Sequence, residues 1–417
     1  MQTQTSRGQP APPLATSSDV AAVAAAARAA GRLGIDTEFM SEGRYRALLC
    51  LVQIAVDDPE PAGNDHGGND HGGNDHAGSD HPPRTILIDP LNGVDVTPVA
   101  QLLADPAIEV VLHAGRQDVA ILRRAWSTAI TNIFDTQLAA GFAGASAQTG
   151  YGNLLGAILG RRVGKTASYT RWDARPLTAE QLSYAAEDVA HLLELADELE
   201  RRLTDSGRLE WAREECRRLE SATDERDPDT AWERLPRIGQ LDPRARAVGK
   251  ELASWRERTA SAEDRPVGSV LADPALVELA KRHPSNLQAL EQIRGIHPSG
   301  IRRRGAAILE AIAVGMKAPP IPREEGRGRS EPEDAPLIVL AEALLRARAL
   351  DAGLAYELIA SRNELEAIIG ASRRGEPEPD VRALEGWREE LVGADLRDLL
   401  AGRRAMSVGP NRRLILS

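Results

Sequence analysis

Three strand-like runs crowd near the start of the chain: RLGID at 32–36, ALLCLVQIAV at 47–56 and TILIDP at 85–90. Short apolar runs bounded by turn residues read as strands, and three this close in sequence predict an antiparallel meander. From residue 96 the pattern changes. VTPVAQLLA reads as helix, IEVVLHA as strand, RQDVAILRRAW as helix, NIF as strand and TQLAAGFAG as helix. Strands that alternate with helices add parallel neighbours to a sheet. The N-terminal half is therefore expected to be a mixed α/β layer. Beyond Tyr151 the strand pattern stops, and helical periodicity is expected to the C-terminus.

Two breaks divide the helical part, SATDERDPDTAW at 221–232 and APPIPREEGRGRSEPEDAP at 318–336. Their Pro, Gly and charge leave nothing to bury. At 417 residues the chain exceeds one typical domain. The expected organisation is a disordered start over 1–17, an α/β domain over 18–220, a helical domain over 228–317, a linker over 318–336, a second helical domain over 337–403 and a tail over 404–417. The polar, Pro-containing start suits disorder. The alanine run at 21–30 follows Ser18 and Asp19, good helix-capping residues, and carries Arg28, so it reads as a short amphipathic helix and not a signal sequence. GNDHGGNDHGGNDHAGSDH at 63–81 holds four of the eight histidines between the second and third strands. It reads as a glycine-loosened hairpin insertion, because nothing there would fix metal-ligand geometry.

A net charge of −11 gives no support for general polyanion binding, so any nucleic-acid contact must come from local patches. Two candidates are residues 161–175, net +4, and 281–304, net +5. Cys50 and Cys216 are the only cysteines, which excludes a disulfide framework or a zinc cluster and fits a reduced, cytoplasmic setting. No apolar run reaches the length of a membrane span. GRRVGKT at 160–166 mimics a phosphate-binding loop but has three residues where a Walker motif needs four, and it follows a helix-like segment.

The first strand ends in a pair of acids. Asp36 and Glu38 are separated only by Thr37, and on an extended strand they point to one face. Two carboxylates so close repel each other unless a cation lies between them. Asp118 sits just after the fourth strand, where open α/β sheets place their sites. A fourth acid comes from RPLTAEQLSYAAEDVAHLLEL, whose helix start is well specified: Thr178 as N-cap, Gln181 completing the capping box, and Leu177 stapling onto Leu182. In that helix Tyr184 and Asp188 lie four residues apart and project together. Four acids around one crevice suit two hard divalent cations, which can bind the attacking and leaving oxygens of an in-line phosphoryl displacement. A phenol beside them could orient or help deprotonate the attacking water.

DTEF, HAGRQD and YAAED stand in the order and spacing of the three exonuclease motifs of ribonuclease D, in the tyrosine branch of the DEDD exonucleases. The similarity continues through TRWDARPLTAEQLSYAAEDV, and ELASWRERTASAEDRPVGSV to IRGIHPSGI resembles the HRDC domain. LLRARALDAGLAYELIASRNELEAIIG and LEGWREEL resemble a second, weaker HRDC-like repeat. The resemblance implies a ribonuclease H-like mixed five-stranded sheet followed by two helical HRDC-like domains. It implies that Asp36, Glu38, Asp118 and Asp188 bind two Mg2+ or Mn2+ ions and that Tyr184 acts on the nucleophilic water. Substrate contacts are expected from Thr37, Phe39, Met40, Lys165, Trp172 and Arg175, with Phe39 and Met40 lining the 3′-nucleotide pocket. The family normally has Ser-Asp before the tryptophan where this chain has Thr170 and Arg171, and the histidine repeat is foreign to its pattern.

The implied activity is metal-dependent 3′→5′ trimming of RNA ends, such as those of transfer RNA precursors, by a monomer that releases 5′-mononucleotides. Two other readings are a DNA 3′-exonuclease, since a few contacts to the 2′-hydroxyl would separate the substrates, and a non-catalytic RNA-binding scaffold. Loss of a motif acid would favour the scaffold, and all four acids are present. The helical domains are expected to supply affinity without taking part in chemistry.

Overall fold

The computed structural model describes residues 12–57, 83–146, 148–161, 171–322 and 331–417. The histidine repeat, Lys165 and the Walker-like loop beyond Arg161 lie outside these residues. The described residues fall into two compact units. The first comprises residues up to Glu38, Leu49–Thr223 and the chain from residue 326 onward; the second comprises Phe39–Leu48 and Asp224–Glu325.

The first unit is built on a five-stranded sheet of β1 (Arg32–Met40), β2 (Leu48–Val56), β3 (Arg84–Ile88), β4 (Glu109–Leu112) and β5 (Ile133–Asp135), in the order β3-β2-β1-β4-β5. β1 is thus central. β2 and β3 pair antiparallel, while β1–β4 and β4–β5 pair parallel. This is the mixed sheet expected. Around it lie α1 (Ser17–Ala30), α2 (Thr97–Leu103), α3 (Arg116–Trp126), α4 (Thr136–Phe142), α5 (Tyr151–Ile158), α6 (Ala179–Ala190), α7 (Leu192–Asp205) and α8 (Leu209–Arg217). Residues 14–17, at the end of the stretch expected to be disordered, are tied to the sheet and to α1. Leu14 bridges to Leu87, the Ala15 N–H donates to the Leu87 carbonyl at 2.8 Å, and Thr16 with Asp19 forms a capping box for α1. A polar segment needs few apolar side chains to be fixed when a sheet edge offers its backbone groups.

The second unit holds α9 (Pro243–Ala262), the one-turn α10 (Val267–Val270), α11 (Asp273–Arg282), the one-turn α12 (Leu287–Leu290) and α13 (Pro298–Lys317). Its core gathers Val248, Leu252, Leu276, Leu279, Leu290, Ile308 and Ile312. α13 crosses α9 closely because residue 315 is glycine. A Cβ there would stand 2.5 Å from the Val248 Cα, so any larger residue would push the helices apart.

The C-terminal segment corrects the expectation of a separate third domain. α14 (Asp334–Ala352), α15 (Arg362–Arg374), the short α16 (Gly386–Arg388) and α17 (Ala394–Leu400) belong to the first unit. Ile338, Leu344, Leu345 and Trp387 share one apolar core with Phe134, Phe142, Leu195 and Leu199. Trp387 stacks on Trp211 at 5.4 Å between centroids and meets Phe142 edge-on at 5.0 Å. Arg388 is fully buried, pairs with the Glu215 carboxylate of α8, and donates from Nε to the Leu358 carbonyl at 2.8 Å. The expected tail forms a small antiparallel hairpin of β6 (Met406–Val408) and β7 (Leu414–Leu416), so strands do recur beyond Tyr151. Among the described residues no helix is long and apolar enough to cross a membrane.

Candidate active site

The centre of the sheet sets the site. β1 carries Asp36 and Glu38 two residues apart in its second half, α3 presents Asp118 in its first turn, and α6 carries Tyr184 and Asp188. The α6 start is as its sequence predicts: the Thr178 hydroxyl accepts from the Gln181 N–H, and the Gln181 side chain accepts from the Thr178 N–H at 3.0 Å. Carboxylate oxygens of Asp36, Glu38 and Asp188 lie within 4.8 Å of one another. Asp118 joins them through its charge on Asp36. It is held by Thr37, whose hydroxyl donates to Asp118 Oδ1 at 2.5 Å.

Burial and crowding raise the proton affinity of this cluster. Burial comes first for Asp36, followed by the charges of Asp118, Asp188 and Glu38, and its pKa is pushed well above the usual carboxylate range. Glu38 is pushed up to about 8 by burial and then by Asp188 and Asp118. Asp188 reaches about 7, mainly through burial, with the Tyr184 hydrogen bond acting the other way. The Tyr184 phenol is raised too, by burial and then by Asp188 and Glu38, so it holds its proton and donates. The charges felt most strongly by Asp36 and Glu38 all come from carboxylates. An all-oxygen donor set with unrelieved negative charge fits hard divalent cations.

These shifts have a measurable consequence in metal-free protein. In the unfolded chain Asp and Glu lose their protons near pH ~4, whereas Glu38 and Asp188 keep theirs in the folded state up to about 8 and about 7. Over that window the folded state binds more protons, so stability is fully present at low pH and falls as pH rises. Thermal melts in EDTA from pH 5 to 8.5 should show the midpoint dropping, with a shallower drop for Glu38→Gln. An equal slope in both proteins would count against the cluster electrostatics.

The expected substrate contacts divide. Phe39 and Met40 are half-buried at the end of β1. Thr37 is only 5 % exposed, and its hydroxyl is committed to Asp118, which makes it a support for an acid and not a substrate contact. Trp172 is 3 % exposed, and its ring lies 6.1 Å from that of Tyr184, so it backs the phenol where a substrate contact was expected. Arg175 clasps Asp89 through two nitrogens at 2.7 Å each and donates to the carbonyls of Trp172, Ala174 and Cys50. With its donors so engaged, it fastens the 172–176 loop to the end of β3 and has little left for a phosphate.

Sequence reasoning missed Asp135. This carboxylate is 1 % exposed and accepts four backbone N–H bonds, from Ala114, Gly115, Gln137 and Leu138. It caps α4 and also ties down the turn leading to Asp118. That turn is tight: Ala114 has φ 55°, and a Cβ on Gly115 would lie 2.7 Å from the Leu112 Cβ. Thr136 donates to the Leu112 carbonyl at 3.0 Å and shares a 2.9 Å hydrogen bond with His113 Nδ1, which holds the half-buried His113 in place. The Asp-Thr pair before an apolar helix signals an N-cap. Its second grip, on a loop twenty residues earlier, has no local signature.

A family model described as 3′-5′ exonuclease matches residues 77–204, and one described as HRDC domain matches residues 245–312. The Ribonuclease D of Gluconacetobacter diazotrophicus is 34% identical over 406 residues, covering 96% of this chain and 95% of that protein. The Ribonuclease D of Granulibacter bethesdensis is 35% identical over 409 residues, with 96% and 95% covered. Among solved structures, Escherichia coli RNase D, described as an exoribonuclease involved in structured RNA processing, superposes with a TM-score of 0.79 at 28% identity, covering 93% of this chain and 98% of that one. The catalytic core of RRP6 from Trypanosoma brucei shares the fold, with a TM-score of 0.52 at 21% identity over 74% of this chain and 83% of that one.

Proposed function

The chain belongs to the ribonuclease D family, and from that premise we propose that Asp36, Glu38, Asp118, Asp188 and Tyr184 carry its chemistry. It is a 3′→5′ exoribonuclease. An exonuclease domain of this kind uses divalent metal and acts on nucleic acid. The observation that carries the residue assignment is the meeting of the Asp36, Glu38 and Asp188 oxygens within 4.8 Å, beside a phenol that donates to Asp188.

The four acids would hold two Mg2+ or Mn2+ ions. When bound, such ions neutralise the attacking and leaving oxygens of an in-line displacement. Tyr184, protonated and anchored on Asp188, orients the water that attacks the last phosphodiester. The bond from phosphorus to the 3′ oxygen of the preceding nucleotide breaks, releasing a 5′-mononucleotide and leaving a new 3′-hydroxyl on the shortened RNA. Trp172 keeps the phenol ring in place, and Thr37 with Asp135 keeps Asp118 directed at the cluster. Phe39 and Met40 pack against the terminal nucleotide.

The proposed natural substrates are structured RNA 3′ ends of the transfer RNA precursor type, processed by a monomer. Lys281, Arg294 and Arg302 in the net +5 stretch at 281–304 supply phosphate contacts. The domain assignment that goes with this is an exonuclease domain over 18–220, an HRDC domain over 228–317 and an HRDC-like segment over 337–403. The test is to incubate pure protein with matched RNA and DNA oligomers in Mg2+ or in EDTA. Stepwise shortening of RNA from its 3′ end, abolished by EDTA, is expected. Preference for DNA would replace the substrate assignment, and no hydrolysis of either would remove it.

A further inference from the structure

Within the first unit, two neighbouring rings each bury a polar atom that has no hydrogen-bond partner among the described residues: His113 at Nε2 and Tyr151 at its hydroxyl. Tyr151 opens α5, and its ring lies 5.4 Å from that of His113, tilted by 58°. A buried donor or acceptor left unmatched is costly, so each atom calls for a partner. The polarity of the pair follows from its surroundings. Thr136 has one hydroxyl hydrogen and gives it to the Leu112 carbonyl, so its oxygen accepts from His113 Nδ1. Burial lowers the proton affinity of the imidazole, against the opposing pull of Asp135 and the Thr149 backbone, so the ring is neutral and Nε2 is a bare acceptor. Tyr151 is the converse. Burial, opposed by the His191 backbone and reinforced by the charges of Asp188 and Asp36, raises its phenol, which therefore keeps its proton and stands as a donor.

A donor and an acceptor left over on adjacent rings complete each other, directly or across one buried water. We infer that Tyr151 donates to His113 Nε2 and that both are positioning residues for the acid cluster, because hydrogen bonds then run from α5 through His113 and Thr136 to the Leu112 carbonyl, at the turn that delivers Asp118. The other end of this chain also reaches the cluster. The phenol lies within the field of Asp36 and Asp188, and the His191 backbone that acts on its oxygen ends the helix carrying Asp188. Tyr151 and His113 would thus hold the strand-end turn and α6 in one arrangement, so that acids from both meet around a cation. Groups of this kind, one step removed from the ligands, set ligand direction and affect metal affinity as well as rate. The inference rests on the exoribonuclease reading above and adds two residues to it.

Nitrogen NMR of the histidine rings in full-length, metal-free protein reads the polarity directly. His113, assigned by the loss of its signals in His113→Leu, should carry its proton on Nδ1 and none on Nε2. Tyr151→Phe keeps the ring and removes the hydroxyl, so the Nε2 resonance should move further towards that of an unbonded nitrogen. The same variant should bind Mn2+, titrated without RNA, about tenfold more weakly and cleave a short unstructured RNA about tenfold more slowly in single turnover. RNA affinity should change by less than about twofold, since no phosphate contact is lost. Adding Tyr151→Phe to His113→Leu should cost nothing further, because the link is already gone. A wild-type His113 protonated on Nε2 would overturn the inference, even where a variant fails to fold. So would wild-type Mn2+ affinity in Tyr151→Phe, or losses that add in the double variant, the pattern of two independent packing defects. If wild-type protein fails to hydrolyse RNA, the functional reading falls, and the ring spectra and Mn2+ titration still test the positioning.

Discussion

Asp36→Ala and Asp188→Ala are expected to abolish RNA hydrolysis, lowering the single-turnover rate by about three orders of magnitude or more, with little recovery on adding divalent ion. Each change removes an oxygen ligand from a cluster whose members stand within 4.8 Å of one another, so the remaining acids cannot rebuild the donor set. The folded state should tolerate the changes. The cluster is mutually repulsive, with Asp36, Glu38 and Asp188 all raised above the usual carboxylate range, so removing one acid relieves its neighbours in metal-free protein. Melting temperature in EDTA should therefore hold or rise while activity disappears. Tyr184→Phe separates the phenol from the metal site. It keeps the ring that Trp172 backs and removes only the hydroxyl, so Mn2+ binding and RNA affinity should survive while the chemical step slows by roughly 10² to 10⁴. Full activity in Tyr184→Phe would take the phenol out of the mechanism. Full activity in Asp36→Ala would remove the acid cluster from it.

What the sequence made legible at this site was whatever local rules encode. The two-residue period of a strand places Asp36 and Glu38 together, and the four-residue step of a helix does the same for Tyr184 and Asp188. The capping box at Thr178 located that helix to the residue. What stayed hidden depends on partners far away in the chain. Thr37 looks like a spacer until Asp118, 81 residues later, takes its hydroxyl. Arg175 looks like a substrate contact until Asp89 is seen to hold it, and so does Trp172 until its burial is known. Asp135 shows the same limit, since one of its two roles is an N-cap and the other bridges to the turn before Asp118. Strand pairing followed this division. Antiparallel β2 and β3 were expected from their proximity, but the insertion of β1 between β2 and β4 was not part of a simple three-strand reading.

The largest stability effect is expected at the C-terminus, where composition pointed to a separable domain. A chain ended after Pro322 should fail to accumulate as folded protein. Ile338, Leu344, Leu345 and Trp387 are buried in the same core as Phe134, Phe142, Leu195 and Leu199, so the cut would expose both sides of that contact. Each large apolar side chain returned to water costs about 1.5–3 kcal/mol, and several together exceed the ~5–15 kcal/mol by which domains are stable. Arg388 offers a finer measurement. With its guanidinium gone, Glu215 remains 7 % exposed with only the longer 3.5 Å pair to Arg218 to offset its charge, and the Leu358 and Ile359 carbonyls lose their donor. Arg388→Ala should therefore cost about 3–5 kcal/mol in urea unfolding, whereas Arg388→Met with Glu215→Leu, which replaces the pair by apolar groups of similar size, should cost much less. The contrast distinguishes a buried charge that has lost its main partner from a packing defect, since a packing defect would penalise both variants alike. A soluble, cooperatively melting fragment ending at Pro322 would instead show that α14–α17 form an independent domain.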